Sequence, residues 1–211
     1  MAQDAATLNT LLSAAPVVPV IIHDDVASAK NLAEALVAGG LTNLEVTLRT
    51  PNALKVMAEM AKVPGAVVGS GTVRRKDDMK ASVDAGCQFM VSPGAPVALL
   101  EAAEDISIPL LPGIASPTEA MAASLLGYKY LKFFPAEAMG GAPVLKSFAS
   151  PLPDLIFCPT GGIDLEKAKI YLKLPNVICV GGSWVVPTDT IAAGDFDAIR
   201  ALAADAAKLS A

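Results

Sequence analysis

Tyr128-Lys129-Tyr130-Leu131-Lys132-Phe133-Phe134-Pro135-Ala136-Glu137 reads as a short strand: it follows Gly127, is rich in aromatic residues, and is stopped by Pro135. Side chains alternate faces along a strand, so Tyr130, Lys132 and Phe134 share one face while Leu131 and Phe133 take the other. If both faces are covered, Lys132 carries an ammonium into a closed interior. Burial disfavours the charged form of a lysine, and an amine that is neutral part of the time near pH 7 attacks carbonyls. A lysine at a strand end can equally snorkel its amine into water. The rest of the chain decides between these readings.

Outward from that run, one unit repeats. Strands are predicted at 17–22, 44–48, 66–70, 89–92, 108–111, 130–134, 155–158 and 177–180. Alanine-rich helices follow nearly all of them, opening near Pro51, Lys76, Pro96, Pro117, Pro143, Asp164 and Pro187. The helix after the first strand is stopped by Gly39-Gly40, and a final helix covers about 195–208. Ahead of the first strand, Asp4 caps a short helix bearing Leu8, Leu11 and Leu12, which Pro16 ends. Eight β units spaced by roughly two dozen residues predict an α/β fold, a (β/α)8 TIM barrel with an extra N-terminal helix. One domain over residues 1–211 is expected. A doubly wound open sheet is the alternative, disfavoured because no G-x-G-x-x-G follows the first strand.

Composition narrows the function. Hydrophobic residues make up 53% of the chain and charged residues 18%, with mean hydropathy +0.51, which suits a sheet buried on both faces. A net charge of −5 argues against nucleic acid as a bulk partner, so any anion must be held locally. Cys87, Cys158 and Cys179 lack C-x-x-C spacing and read as reduced, buried thiols of a cytoplasmic protein. His23 is a single histidine and cannot support a multi-histidine metal site. The uncharged stretch 5–22 contains Pro16 and Pro19 and follows Asp4, so it reads as helix then strand, not as a membrane or export segment.

Barrel chemistry gathers at the C-terminal ends of the strands. There the second strand brings Glu45, Thr47 and Arg49 to one face. An acid and a guanidinium facing an apolar interior are costly unless used or paired with each other. Gly69-Ser70-Gly71-Thr72 is a turn that lets amides and a hydroxyl approach a small ligand, or simply joins strand to helix. The last two strands end in Pro159-Thr160-Gly161-Gly162-Ile163-Asp164 and Gly181-Gly182-Ser183-Trp184. Each reads as a glycine turn opening a helix, and the pair as a phosphate cradle after strands seven and eight, with plain tight turns as the alternative. His23-Asp24-Asp25 reads as a solvated capping loop at the mouth, and Arg74-Arg75-Lys76 as a solvated helix start that could also steer an anion. Trp184 and Met139 read as packing.

Together these parts describe a chemistry. Lys132 attacks a ketone to give an imine, Glu45 moves protons, and Arg49 with Thr72 grips a carboxylate. The Gly-Gly turns hold a phosphate at the far end. That is a metal-free class I aldolase for a phosphorylated 2-keto acid, with no cofactor beyond the covalent imine.

The blocks Glu45-Val46-Thr47-Leu48-Arg49-Thr50, Gly71-Thr72-Val73, Ser92-Pro93-Gly94, Lys132-Phe133-Phe134-Pro135-Ala136-Glu137, Pro159-Thr160-Gly161-Gly162-Ile163 and Gly181-Gly182-Ser183-Trp184 also resemble the 2-keto-3-deoxy-6-phosphogluconate aldolase family. That family includes 4-hydroxy-2-oxoglutarate aldolase activity. The resemblance covers nearly the whole chain. It implies a (β/α)8 homotrimeric lyase of the Entner–Doudoroff pathway that releases pyruvate and glyceraldehyde 3-phosphate. By that likeness Lys132 is the Schiff-base lysine, Glu45 the acid/base, and Arg49 and Thr72 the carboxylate contacts. Pro93 walls the pyruvate end, Phe134 is a further substrate contact, and Thr160 and Ser183 touch the middle of the substrate. Gly161, Gly162, Gly181 and Gly182 face its phosphate. His23-Asp24-Asp25 is more acidic, and Arg74-Arg75 more basic, than the family pattern, which leaves substrate preference open. A preference for the unphosphorylated hydroxy-oxoglutarate or for the galactonate epimer, and a phosphosugar-binding barrel without catalysis, are the competing readings.

Overall fold

A computed structural model describes residues 4–209. The Asp4 carboxylate accepts the Thr7 amide at 3.0 Å and caps α1 (Ala5–Leu12), which ends short of Pro16. There follow β1 (Val17–Ile21), α2 (Ala29–Ala38), β2 (Asn43–Thr47), α3 (Ala53–Met60), β3 (Val67–Gly71), α4 (Lys76–Asp84), β4 (Phe89–Val91) and α5 (Val97–Ala103). Then come β5 (Leu110–Leu111), β6 (Gly113–Ile114), α6 (Pro117–Leu125), β7 (Tyr130–Phe133), α7 (Gly141–Phe148) and β8 (Ile156–Pro159). The chain closes with α8 (Leu165–Tyr171), β9 (Val180–Gly182), α9 (Thr188–Ala192) and α10 (Phe196–Ala207).

The strands run parallel in the order β5-β4-β3-β2-β1-β9 and β6-β7-β8. Single parallel bridges, Phe157 to Val177 and Thr160 to Gly181, carry β8 on toward β9. Of the strand expected at 108–111 only Leu110–Leu111 forms, as β5; Pro112 separates it from β6, and the Pro112 carbonyl accepts the Lys132 amide at 2.8 Å. A proline has no ladder donor, so the break falls there. The strand expected at 177–180 is shifted, with Val177 held by a lone bridge and β9 beginning at Val180. The result is one curled parallel sheet with helices on its outside.

Period-two alternation sorts the core into two layers. Val17, Ile21, Leu44, Val46, Val68, Leu131, Phe133 and Phe157 face the helices. Val18, Phe89, Val91, Leu111, Tyr130, Cys158 and Cys179 face the inside of the curl, joined there by Leu8 and Leu12 of α1. Burying those two leucines stabilises the fold by about 2 kcal/mol each. Polar contacts fix α1 in place: the Tyr130 hydroxyl donates to Asn9 Oδ1 at 2.8 Å, and Asn43 Nδ2 donates to the Leu11 carbonyl.

Cys87, Cys158 and Cys179 are free and buried. Burial pushes the Cys87 thiol up to about 12, the mark of an inert packing cysteine. Among the described residues no helix is long and apolar enough to cross a membrane.

Candidate active site

Lys132 stands on the inner face of β7, as the alternation requires. Its Nζ lies 3.0 Å from Glu45 Oε1 on β2, with the two side chains 5% and 4% exposed. The partner of Glu45 is therefore Lys132 and not Arg49. β2 ends at Thr47, whose hydroxyl donates to the Ile21 carbonyl at 3.0 Å, and Arg49 lies two residues beyond in an exposed turn. The Glu45 carboxylate fits because it leans over Gly71 of β3, two residues beyond its register partner Gly69: a Cβ on Gly71 would strike Oε1. Gly69, two residues back on the same face, leaves room for the Phe89 ring. Taking two charges out of water costs several kcal/mol per ion. A pair kept at that cost, with its amine open to a cavity, is equipped for covalent carbonyl chemistry.

At the rim, Arg49 Nε donates to Thr72 Oγ1 at 3.1 Å. Thr72 has φ +63°, the one positive φ outside glycine among the described residues. A β-branched residue in the left-handed region costs of order 1–3 kcal/mol and persists where neighbours over-determine it. Backbone bonds on either side do so, Leu48 N to the Gly71 carbonyl at 2.9 Å and Val73 N to the Val91 carbonyl at 3.1 Å.

A cavity of about 130 Å³ is lined by Arg49, Lys132, Phe134, Thr160, Gly161, Gly162, Gly181 and Ser183, with Val20, Ile22 and Ile163 as apolar wall. The amine lies 5.3 Å from the centre of the Phe134 ring. Thr160 is buried, and its Oγ1 has no hydrogen-bond partner. Leaving a buried hydroxyl unpaired costs about 1–3 kcal/mol, so this atom is a natural contact for a ligand's polar group. Glu45 and Thr72 reach this cavity through their partners Lys132 and Arg49, and Pro93 and Gly182 are not among the residues that line it. Pro93 instead packs its carbonyl against Gly113, where an added Cβ would lie 2.5 Å from it.

The two glycine pairs differ in what they do. Gly161 and Gly162 have φ +107° and +75°, conformations that glycine adopts freely. The helix they precede is capped already, since Asp164 Oδ1 accepts the Lys167 amide at 2.9 Å. Any anion held here meets the amides of the turn and not an open helix end. Gly181 and Gly182 belong to β9, and α9 starts only at Thr188, so this pair opens no helix. They are glycines for space: a side chain at 181 would collide with that of Thr160, and one at 182 with the Trp184 ring.

The expected capping loop at the mouth is a stitched one. Thr50 Oγ1 donates to the His23 carbonyl at 2.9 Å, and Asp24 Oδ1 accepts the Asn52 amide at 2.8 Å. Asp25 accepts the Ala27 amide and the Ser28 hydroxyl, which also meets His23 Nε2 at 3.0 Å. Arg75 is exposed and pairs with Asp78 at 3.1 Å. Trp184 packs on Gly182, whereas Met139 is 42% exposed. Among the described residues no three His, Cys, Asp or Glu side chains gather as metal ligands. Sequence reasoning missed the apolar wall, the strain at Thr72 and the cluster of Glu137, Lys167 and Tyr171 behind the Gly161-Gly162 turn; only the first had a local signal, the apolar run ending at Ile22.

A family model described as KDPG and KHG aldolase matches residues 8–202. The KHG/KDPG aldolase of Escherichia coli is 47% identical over 199 residues, 94% of this chain and 93% of that one. A KDPG aldolase structure from Legionella pneumophila, with pyruvate captured as a covalent carbinolamine intermediate, superposes with a TM-score of 0.92 at 43% identity, covering 95% of this chain and 98% of that one. The Zymomonas mobilis 2-keto-3-deoxy-6-phosphogluconate aldolase, solved with 3-phosphoglycerate, gives 0.91 at 48% identity over 96% of both chains. On the strength of the matched residues, the shared fold and the buried lysine–glutamate pair, the chain belongs to the KDPG and KHG aldolase family of carbon–carbon lyases.

Proposed function

We propose that the protein cleaves 2-keto-3-deoxy-6-phosphogluconate to pyruvate and glyceraldehyde 3-phosphate through an imine on Lys132, the aldol cleavage of the Entner–Doudoroff pathway. The observation that carries this is the buried Lys132–Glu45 pair, 3.0 Å apart, with the amine open to the cavity. Glu45 takes a proton from the amine, and Nζ adds to the C2 carbonyl. The carbonyl oxygen takes one proton from the adding nitrogen and one back from Glu45 and leaves as water, giving a protonated imine and a free carboxylate. Glu45 then accepts the C4 hydroxyl proton while the C3–C4 electron pair moves toward the imine nitrogen. The aldehyde departs, C3 of the enamine is reprotonated, and water returns pyruvate and the free lysine. No metal is needed, because the imine serves as the electron sink.

In this reading Arg49 and Thr72 hold the substrate carboxylate. Pro93 and Phe134 bound the pyruvate half, and Thr160 and Ser183 meet the hydroxyls. Gly161, Gly162, Gly181 and Gly182 surround the phosphate. The carbinolamine in the Legionella relative and the 3-phosphoglycerate in the Zymomonas one support the two ends of this assignment. We also read the curled sheet as a (β/α)8 barrel of one domain, β5 and β6 being halves of the fifth strand and α1 an extra helix. The pairing order and the bridges from β8 to β9 support it. A cytoplasmic homotrimer completes the proposal, the three free thiols supporting a reducing compartment.

The test is borohydride reduction in the presence of pyruvate, followed by peptide mass mapping. A reduced pyruvyl adduct on Lys132 is expected; an adduct elsewhere overturns the site, and none at all on folded protein overturns the imine. A second substrate, 4-hydroxy-2-oxoglutarate, is favoured by a family match that spans both activities. Comparing kcat/KM for the two substrates and the galactonate epimer ranks them.

A further inference from the structure

Glu137 closes the segment that begins with Lys132, and its side chain reaches behind the Gly161-Gly162 turn. Its Oε1 accepts the Tyr171 hydroxyl at 2.7 Å, and its Oε2 meets Lys167 Nζ at 3.2 Å. Lys167 Nζ in turn donates to the Gly162 carbonyl at 2.8 Å. The backbone adds two ties from the same segment: Ala136 N to the Thr160 carbonyl at 2.8 Å and Glu137 N to the Gly161 carbonyl at 3.1 Å. Three successive carbonyls are thus held from behind. In a trans peptide the N–H points opposite to the C=O. The ties on Gly161 and Gly162 therefore aim the amides of Gly162 and Ile163 away from the Glu137 side. Contact there is close, since a Cβ on Gly162 would lie 2.9 Å from Glu137 Cβ.

We propose that Glu137 and Lys167 are positioning residues that hold the Gly161-Gly162 turn in its anion-accepting shape and so set the preference for a phosphorylated substrate. Burial and the adjacent Glu137 carboxylate raise the Tyr171 hydroxyl well above its usual pKa, so it remains a donor to Glu137 throughout the working pH range. Lys167 is 41% exposed in its side chain and Glu137 31%, so substitutions there spare the core. Because Glu137 lies five residues after the nucleophile, one short segment sets both the place of the amine and the shape of the turn. A donor on the Gly162 carbonyl also polarises that peptide and strengthens its N–H toward an anion.

This rests on the phosphate reading above, and wild-type protein tests that reading first. Inorganic phosphate should inhibit competitively, and 2-keto-3-deoxy-6-phosphogluconate should be preferred to 4-hydroxy-2-oxoglutarate; failure of both removes the phosphate subsite, and with it this proposal, before any variant is made. Given that preference, Lys167→Met and Glu137→Gln should raise KM for the phosphorylated substrate and the inhibition constant of inorganic phosphate by about tenfold. The kcat, the kcat/KM for 4-hydroxy-2-oxoglutarate and the yield of borohydride-trapped pyruvate should stay within about twofold of wild type, and Lys167→Arg should recover most of the loss. Equal losses on both substrates, or phosphate inhibition unchanged in both variants, overturns the positioning role.

Discussion

Glu45 and Lys132 are almost sealed from water at 3.0 Å from each other, so each is the other's solvation. Removing either partner of such a pair leaves a buried charge and costs about 3–5 kcal/mol unless that charge is neutralised. Glu45→Gln keeps the shape and a carbonyl oxygen for the amine while abolishing proton transfer. It should lower turnover by about 100-fold or more yet still yield some trapped adduct with pyruvate; steady-state rates and adduct mass check both halves. Lys132 was legible because strand alternation is a local rule. Its link to Glu45 spans 87 positions, which no periodicity shows, and so the sequence left a Glu45–Arg49 pair open. The left-handed Thr72 was illegible for a related reason: strain is imposed by neighbours, here the bonds that flank it from Leu48, just past β2, and from Val91 of β4.

β3 shows how an element shapes the site without touching substrate. Its two inward glycines leave the volume that the Phe89 ring and the Glu45 carboxylate occupy. Gly71→Ala should displace that carboxylate, destabilise the fold by about 1–3 kcal/mol and depress turnover with every polar group intact. Thermal melts and kcat measure the two effects. Element starts were readable in advance, because caps and prolines are local signals: Asp4, Asp164 and Asp195 do cap helices with their side chains. The glycine pairs were not, since a letter G looks the same whether it is needed for positive φ, as at Gly161, or for a missing Cβ, as at Gly181. The Gly181-Gly182 turn accordingly reads as opening a helix, whereas the pair lies in β9 and the helix begins only at Thr188, beside the Pro187 expected to start it.

Across the whole molecule, the loops at the strands' C-terminal ends are tied to one another through His23, Asp24 and Asp25. Burial holds the His23 pKa below its usual 6.5, outweighing the nearby Asp25 and Asp24, which pull it up. The unfolded chain therefore takes up a proton at higher pH than the native one. Native stability should be lost as pH falls from 6.5 through the lower native value. Denaturant melts across that window should show the loss, and His23→Gln should flatten it. At the opposite end, Leu8 and Leu12 of α1 occupy the inside of the curl and plug it there. The proposed imine then orders product release: the aldehyde departs first, while pyruvate stays covalently attached until water reaches C2. Pyruvate alone combines with the free enzyme, so it should inhibit cleavage competitively, whereas glyceraldehyde 3-phosphate should inhibit noncompetitively; competitive patterns for both would mean that release is random.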